Sequence, residues 1–384
     1  MGILRAEPLK IQSWAPRSAS IAWHNYDLQL TTYAVLLTCF GLVMAYSNSF
    51  GSTNTSLTTD SYFVRGLIWA VLAAVVYAVA TAFDYKWLRT FSWPLYLVNI
   101  GLLAVTLRFG SGVGEAAGSA RWLSVLGFSF QFSELAKVLM VLVFAGYLAS
   151  RQENMKSVWT IVGAAILLAP PWMLVMLQPD LGTSLVIVAT LAGMLFMAEA
   201  SLFWLGTMAG AVVAAIPIVW TYLPYYQQAR VLALFNPEAN PQAGGYQLIQ
   251  AKAAVAAGGI WGRGLTNGHV HLPVRETDFV WGVLTEELGF IGGIVVLLLF
   301  VALLWRVLVS AWRSNDPFAM LVASGMASMI FFQVAVNIGM VLGLLPITGI
   351  PLPFITYGGA SLVSLALGMG ILQSANLRRE KPEW

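Results

Sequence analysis

From Arg275 to Leu308 the chain reads RETDFVWGVLTEELGFIGGIVVLLLFVALLWRVL, and this stretch decides what kind of protein it is. Phe290 to Leu308 is apolar apart from Arg306 near its end, and a run of about 20 such residues matches the hydrocarbon thickness of a bilayer. Lipid offers a backbone amide no partner, so a run this long and continuous predicts a spanning helix. Asp278, Glu286 and Glu287 stand just ahead of it. Charge beside hydrocarbon costs several kcal/mol unless it is paired or faces a wet cavity, so these carboxylates are functional candidates by default. Asp278 is the strongest of them, because it closes a long polar segment. The competing reading of Asp278 is a first-turn acid or N-cap of the eighth helix, held there by the helix dipole.

Working outward, further spanning runs lie near Leu28–Tyr46, Val64–Phe83, Phe91–Leu107, Leu135–Leu148, Val158–Leu177, Leu181–Phe196, Leu202–Leu223, Phe318–Leu342 and Gly358–Leu372. With the first run they predict an all-α integral membrane protein of ten transmembrane helices, with a long extracellular loop between helices 7 and 8. The composition agrees: 59% of the 384 residues are hydrophobic and 10% charged, where soluble domains are about a quarter charged. The spans consume the chain, so a single polytopic domain is expected over 1–384, with tails at 1–25 and 373–384 and the large outer loop at 224–278. No short apolar core with a cleavage site follows Arg5, Lys10 and Arg17, so residues 1–25 read as a retained tail and not a signal peptide. The net charge of +3 is scattered between spans, which argues against nucleic acid as a partner. Cys39 is the single cysteine and excludes an internal disulfide.

Orientation follows the placement of Lys and Arg in short loops. Lys86, Arg89, Arg151, Lys156, Arg306, Arg313, Arg378 and Arg379 alternate with loops poorer in such residues, which puts both termini in the cytoplasm and Asp278 on the extracytoplasmic face. Inside the long loop, Tyr246–Ala257 carries helical periodicity and predicts an interfacial helix. The Gly206–Gly210 spacing reads as a close helix crossing.

Other charged residues have two readings each. Glu134 and Lys137 share one face of the fourth helix and form either a structural ion pair or a phosphate contact. Asp180, in QPDLGT, either caps the sixth helix or works in a site. His269 and His271 lack the further ligands that a metal pair needs.

Six segments, in order along the chain, resemble the SEDS (shape, elongation, division, sporulation) family of bacterial cell-wall polymerases: GLVMAYS, GSARWLSVLGFSFQFSELAK, QPDLGTSLV, GYQLIQAKAAVAAGGIWGRGL, ETDFVWGVLTEELGFIGG and NIGMVLGLLPITGIPLPFITYGGASL. The resemblance implies a peptidoglycan glycosyltransferase of the cytoplasmic membrane that polymerises lipid II, with Asp278 of the TDF motif as its essential acid. It implies substrate-binding roles for Glu134, Lys137, Asp180, Arg121, Arg230 and Lys252. It also implies a class B penicillin-binding protein as transpeptidase partner and leaves room for a divalent cation, Mg or Mn. QAKAAVAAGG and PITGIPLPF look more like the RodA branch, which serves elongation, than like the FtsW branch, which serves division. Thr356 departs from the family pattern, where Ser precedes YGG.

The chemistry so implied is attack of a sugar hydroxyl on an anomeric carbon with a lipid pyrophosphate leaving. One carboxylate suffices as general base for a single inverting step. The rival from another class is a lipid-linked precursor transporter, since intramembrane charges also mark transport pathways.

Overall fold

The computed structural model describes residues 22–50, 61–112, 121–125, 128–222, 225–238, 244–268, 270, 272 and 277–379. Much of the expected tails lies outside these residues, as do His269, His271, Arg275 and Glu276. The described chain is mostly helical: α1 (Leu28–Phe50), α2 (Tyr62–Ala82), α3 (Lys86–Thr90), α4 (Ser92–Phe109), α5 (Phe132–Ala149), α6 (Val158–Leu177), α7 (Leu181–Met197), α8 (Leu202–Tyr222), α9 (Tyr225–Phe235), α10 (Gly245–Gly258), α11 (Val280–Trp312), α12 (Pro317–Val341) and α13 (Gly359–Leu377). Among them α1, α2, α4, α5, α6, α11, α12 and α13 are long and apolar enough to cross a membrane, and α7 and the first part of α8 are shorter apolar helices. Thus 8 helices meet the length and composition needed to span.

Helix starts are set by residues that satisfy the first unpaired amides. Ser61 accepts from Val64 N at the head of α2, Asp180 from Thr183 N at α7, and Asp316 from Phe318 N at α12, where Pro317 fits the first turn. Between α4 and α5 a small antiparallel hairpin pairs β1 (Leu123–Val125) with β2 (Phe128–Phe130), which accounts for the apolar/polar alternation there.

α5 is the central post, buried along almost its whole length, and α4, α7, α12 and α13 pack around it. α13 lies along α2, and α11 is sandwiched between α1, α10 and α12. α8 stands apart, touching mainly α7. That placement overturns the reading of Gly206–Gly210 as a close crossing, because a Cβ added at either glycine would meet nothing within 4 Å.

α11 departs from its expected start at Phe290. Helix begins at Val280, and Gly289, at φ 69 and ψ −170, divides it into two pieces, 280–288 and 290–312. The cause is a loop that inserts into the hydrogen-bond ladder. Arg263 N donates to Glu286 O (3.0 Å) and Gly264 N to Glu287 O (2.9 Å), while Phe290 N donates to Gly259 O (2.9 Å). Only glycine tolerates both the positive φ and the approach, since a Cβ at Gly289 would lie 2.5 Å from Ile260 O. The expected interfacial helix is present as α10, yet it is not merely a surface element: Leu248, Ala251 and Ala254 are buried, against α11.

One end of the bundle collects the described ends of the chain. Ala22 N donates to Leu377 O (3.0 Å), Arg306 pairs with Asp27 (2.5 Å), and Tyr85 stacks on Phe318. α13 continues to Leu377, into the segment expected as a tail. Its C-cap Arg378 is buried and donates to Thr81 O and Ala82 O, fastening α13 to the end of α2.

Candidate active site at the Asp278 end of the bundle

The opposite end is organised by the irregular segment 343–358 between α12 and α13. Ile347, Ile350, Leu352, Phe354 and Ile355 are buried in it, and Gly41 of α1 presses against its backbone, where a Cβ would meet Phe354 O at 2.6 Å. Non-helical backbone in a membrane protein survives where it is buried in protein or lines a cavity. Here its polar groups are claimed by the residues around Asp278.

Asp278 is half-buried and does not cap the helix that follows: Phe279 occupies the N-cap without a side-chain bond. The sequence alternative of a capping acid therefore fails. Two neighbours fix its backbone. Asn337 Nδ2 donates to Asp278 O (3.0 Å) and to Ile350 O (2.8 Å). Thr356 Oγ1 donates to Thr277 O (3.2 Å) while it accepts from Leu352 N (2.7 Å). The second pair needs a hydroxyl, which Thr supplies as Ser would. Beside the carboxylate stands Gly349 at φ 70, where an added Cβ would come within 3.3 Å of Asp278 Oδ2.

The far side of the same loop meets α7. A Cβ at Gly182 would lie 2.7 Å from Thr348 O, so residues 348–350 separate Asp278 from the start of α7. Asp180 there is buried and accepts four hydrogen bonds: from Thr183 N (3.1 Å), Thr183 Oγ1 (2.9 Å), Gln131 Nε2 (3.1 Å) and Ser133 Oγ (3.1 Å). Capping is part of its work, and bracing α5 against α7 is the rest. Arg121 holds the turn just before it, donating from Nε to Gln178 O (2.9 Å) and from its guanidinium to Pro179 O. One turn into α5, Lys137 Nζ donates to Glu134 Oε1 at 2.8 Å, and both side chains are buried, at 3% and 6% exposure.

Arg121, Asp180, Glu134 and Lys137 thus form one connected region, and Asp278 joins it across residues 348–350. Lys252 and Arg230 stand apart. Lys252 is exposed on α10 with its ammonium end over Gly343, and Arg230 is exposed on α9. No hydrogen bond or ion pair among the described residues ties Arg230 to the rest.

Among the described residues no three His, Cys, Asp or Glu side chains converge, and the oxygens of Asp180 are already engaged by donors. Asn337 was not singled out from the sequence, where it is a carboxamide inside an apolar run, and Thr356 stood out only as a departure from the family pattern, with no role attached.

A sequence model of the FtsW/RodA/SpoVE family, described as cell cycle protein, matches residues 27–381. The chain belongs to this family. Within it, the chain is 38% identical over 370 residues to the probable peptidoglycan glycosyltransferase FtsW of Geobacter metallireducens, covering 92% of this chain and 95% of the relative. It is 38% identical over 291 residues to the peptidoglycan glycosyltransferase MrdB of Escherichia coli K12, covering 74% and 78%. A solved family fold, from work on the structural coordination of polymerization and crosslinking by a peptidoglycan synthase complex, superposes with a TM-score of 0.77 at 30% identity, covering 91% of this chain and 97% of that one. Family likeness thus extends over the whole described bundle and includes the segments that surround Asp278.

Proposed function

We propose that this protein is a peptidoglycan glycosyltransferase that polymerises lipid II, with Asp278 as general base. The observation that carries the reading is the construction around that residue: its backbone is pinned by Asn337, and the half-buried Asp278 has its Oδ2 beside Gly349. The names borne by the FtsW and MrdB relatives support the activity.

In this reading the sugar 4-hydroxyl of one chain end approaches the Asp278 carboxylate. The carboxylate takes the proton as the oxygen bonds to the anomeric carbon, and the pyrophosphate departs from the opposite face with inversion. Positive charge near the departing group stabilises it. Lys137 suits that task, because an ammonium has three donors and Glu134 takes one. Arg121 acts through the α6–α7 turn it clamps, and Asp180 through its brace of α5 and α7. Exposed Arg230 and Lys252 lie where an incoming anionic lipid head would first meet the protein.

α7 and α8 join the eight longer helices as spans, which makes ten, with both termini in the cytoplasm and 224–278 outside. A class B penicillin-binding protein supplies the transpeptidase, a reading supported by the synthase complex whose fold this chain shares. Elongation is the assigned role, on the RodA-like QAKAAVAAGG and PITGIPLPF segments. Depletion of the chain in growing cells tests it: loss of rod shape is expected, and filaments that fail to divide would assign the chain to septation.

The test of the chemistry is glycan polymerisation from lipid II by the purified protein with its partner, comparing the parent with Asp278→Asn. Polymer from the parent only is expected. Equal polymer from both would remove Asp278 as base, and none from either, with lipid translocation intact in vesicles, would make the protein a transporter.

A further inference from the structure

At the end of the bundle where the chain ends meet, a cavity of about 260 Å³ lies among α3, the start of α4 and the end of α5, with Leu167 lining it from α6. Its floor is apolar, formed by Val143 and Leu167, and its rim carries Arg89, Ser92, Trp93, Tyr147 and Ser150. This region is remote from Asp278 and no step of the chemistry above uses it.

The rim has a definite polarity. Ser92 Oγ donates to Arg89 O (2.9 Å), Ser150 Oγ to Tyr147 O (2.7 Å), and Tyr147 OH to Thr160 O (3.2 Å), so these three hydroxyl donors are spent on backbone and Thr90 is the further hydroxyl in the lining. The charge at the rim is cationic. Arg89 lines the cavity, and Arg151, which follows the lining residue Ser150, lies over the ring of the lining residue Tyr147 with Cζ 5.7 Å from its centroid. Among the described residues neither guanidinium has an acidic partner, and the nearby Asp84 is turned to Arg378. The site therefore asks for an anion.

Its surroundings ask for a lipid. Two of the helices that line it have bare faces beside lining residues: Leu97 of α4 is 66% exposed and Ile166 of α6, next to the lining Leu167, is 65% exposed. Trp93 and Trp159 stand exposed at the same level, as tryptophans do at the boundary between hydrocarbon and water. A basic recess between helices at that boundary, with apolar walls leading away from it, has the shape and charge of a phospholipid headgroup site.

We propose that this recess binds an anionic phospholipid, its phosphate held by Arg89 and Arg151 and an acyl chain lying along Leu97 and Ile166. The guanidinium fork matches two phosphate oxygens, which favours arginine over lysine at the rim. A free phosphate offers the same oxygens without the chain, so the two sources are separable.

Native mass spectrometry of the full-length protein, released from micelles with phosphatidylglycerol, with phosphatidylcholine or with inorganic phosphate, tests this. The parent retains phosphatidylglycerol over phosphatidylcholine. Arg89→Ala retains it about tenfold less, the effect of losing one charge-assisted contact. Arg89→Lys recovers part of the loss, and Arg313→Ala, at the same end of the bundle at the C-cap of α11, retains as much as the parent. Both alanine variants keep the parental melting temperature, since Arg89 and Arg313 are exposed. Equal phosphatidylglycerol retention by the parent and an Arg89→Ala, Arg151→Ala double variant overturns the proposal. Displacement of the lipid by millimolar inorganic phosphate overturns it as well, because the recess would then be a site for free anions.

Discussion

Ser47 of α1 donates to Glu287 Oε1 at 2.5 Å, joining the first helix to the short helix that carries Asp278 at its head. Both side chains are buried, and Ser47 Oγ also accepts from Thr266 N (3.2 Å). One turn of the same helix presents Glu286, whose Oε1 accepts from Val270 N (3.1 Å). The two glutamates noted in the sequence without an assignment therefore tie the far end of helix 280–288 to α1 and to Val270.

Removing the hydroxyl leaves a buried carboxylate short of a donor, which costs about 1–3 kcal/mol. Ser47→Ala should accordingly lower the melting temperature of the purified protein, and Ser47→Thr, which keeps the donor, should restore most of it. An unchanged melting temperature for Ser47→Ala would mean that this hydrogen bond contributes nothing to stability.

Asn337→Leu removes the amide that holds the carbonyls of Asp278 and Ile350. Misplacing a catalytic group by about 1 Å costs up to about 100-fold in rate. Glycan polymerisation should fall by about tenfold or more, with the loss in kcat exceeding any change in KM. A variant that polymerises at the parental rate would show that Asp278 is held by other contacts.

Asp180 and Asp278 should separate in behaviour. Asp180→Ala deprives four donors of their acceptor and should destabilise by about 3 kcal/mol, with activity lost through unfolding. Asp278→Asn should melt near the parent and yet make no polymer. Paired melting curves and polymerisation assays on the two variants read this directly.

Gly182→Ala places a Cβ 2.7 Å from Thr348 O, an overlap with backbone that should cost about 1–3 kcal/mol. Gly206→Ala meets nothing within 4 Å and should be neutral or stabilising, by up to about 1 kcal/mol from helix propensity. Thermal unfolding of the two variants should show the contrast, and equal effects would place α8 closer to its neighbours than the structure does.

The sequence alone determined the membrane class and the family. Length and continuity of apolar runs are properties of consecutive residues, and lipid converts them to helix without help from tertiary contacts. It also put Glu134 and Lys137 on one helix face, because three residues of helix bring them together, and left open the ion pair that the structure shows. Tertiary structure decided everything that depends on residues distant in the chain. It broke α11 at Gly289, where loop 259–264 enters the ladder, although the run of apolar residues begins only at Phe290. It made Asp180 a brace and not only a cap, set Gly349 beside Asp278, and left Gly206 and Gly210 unpacked. These outcomes arise from which surfaces meet when the helices pack, and a pattern along one chain carries the faces of each helix but not the identity of the neighbour.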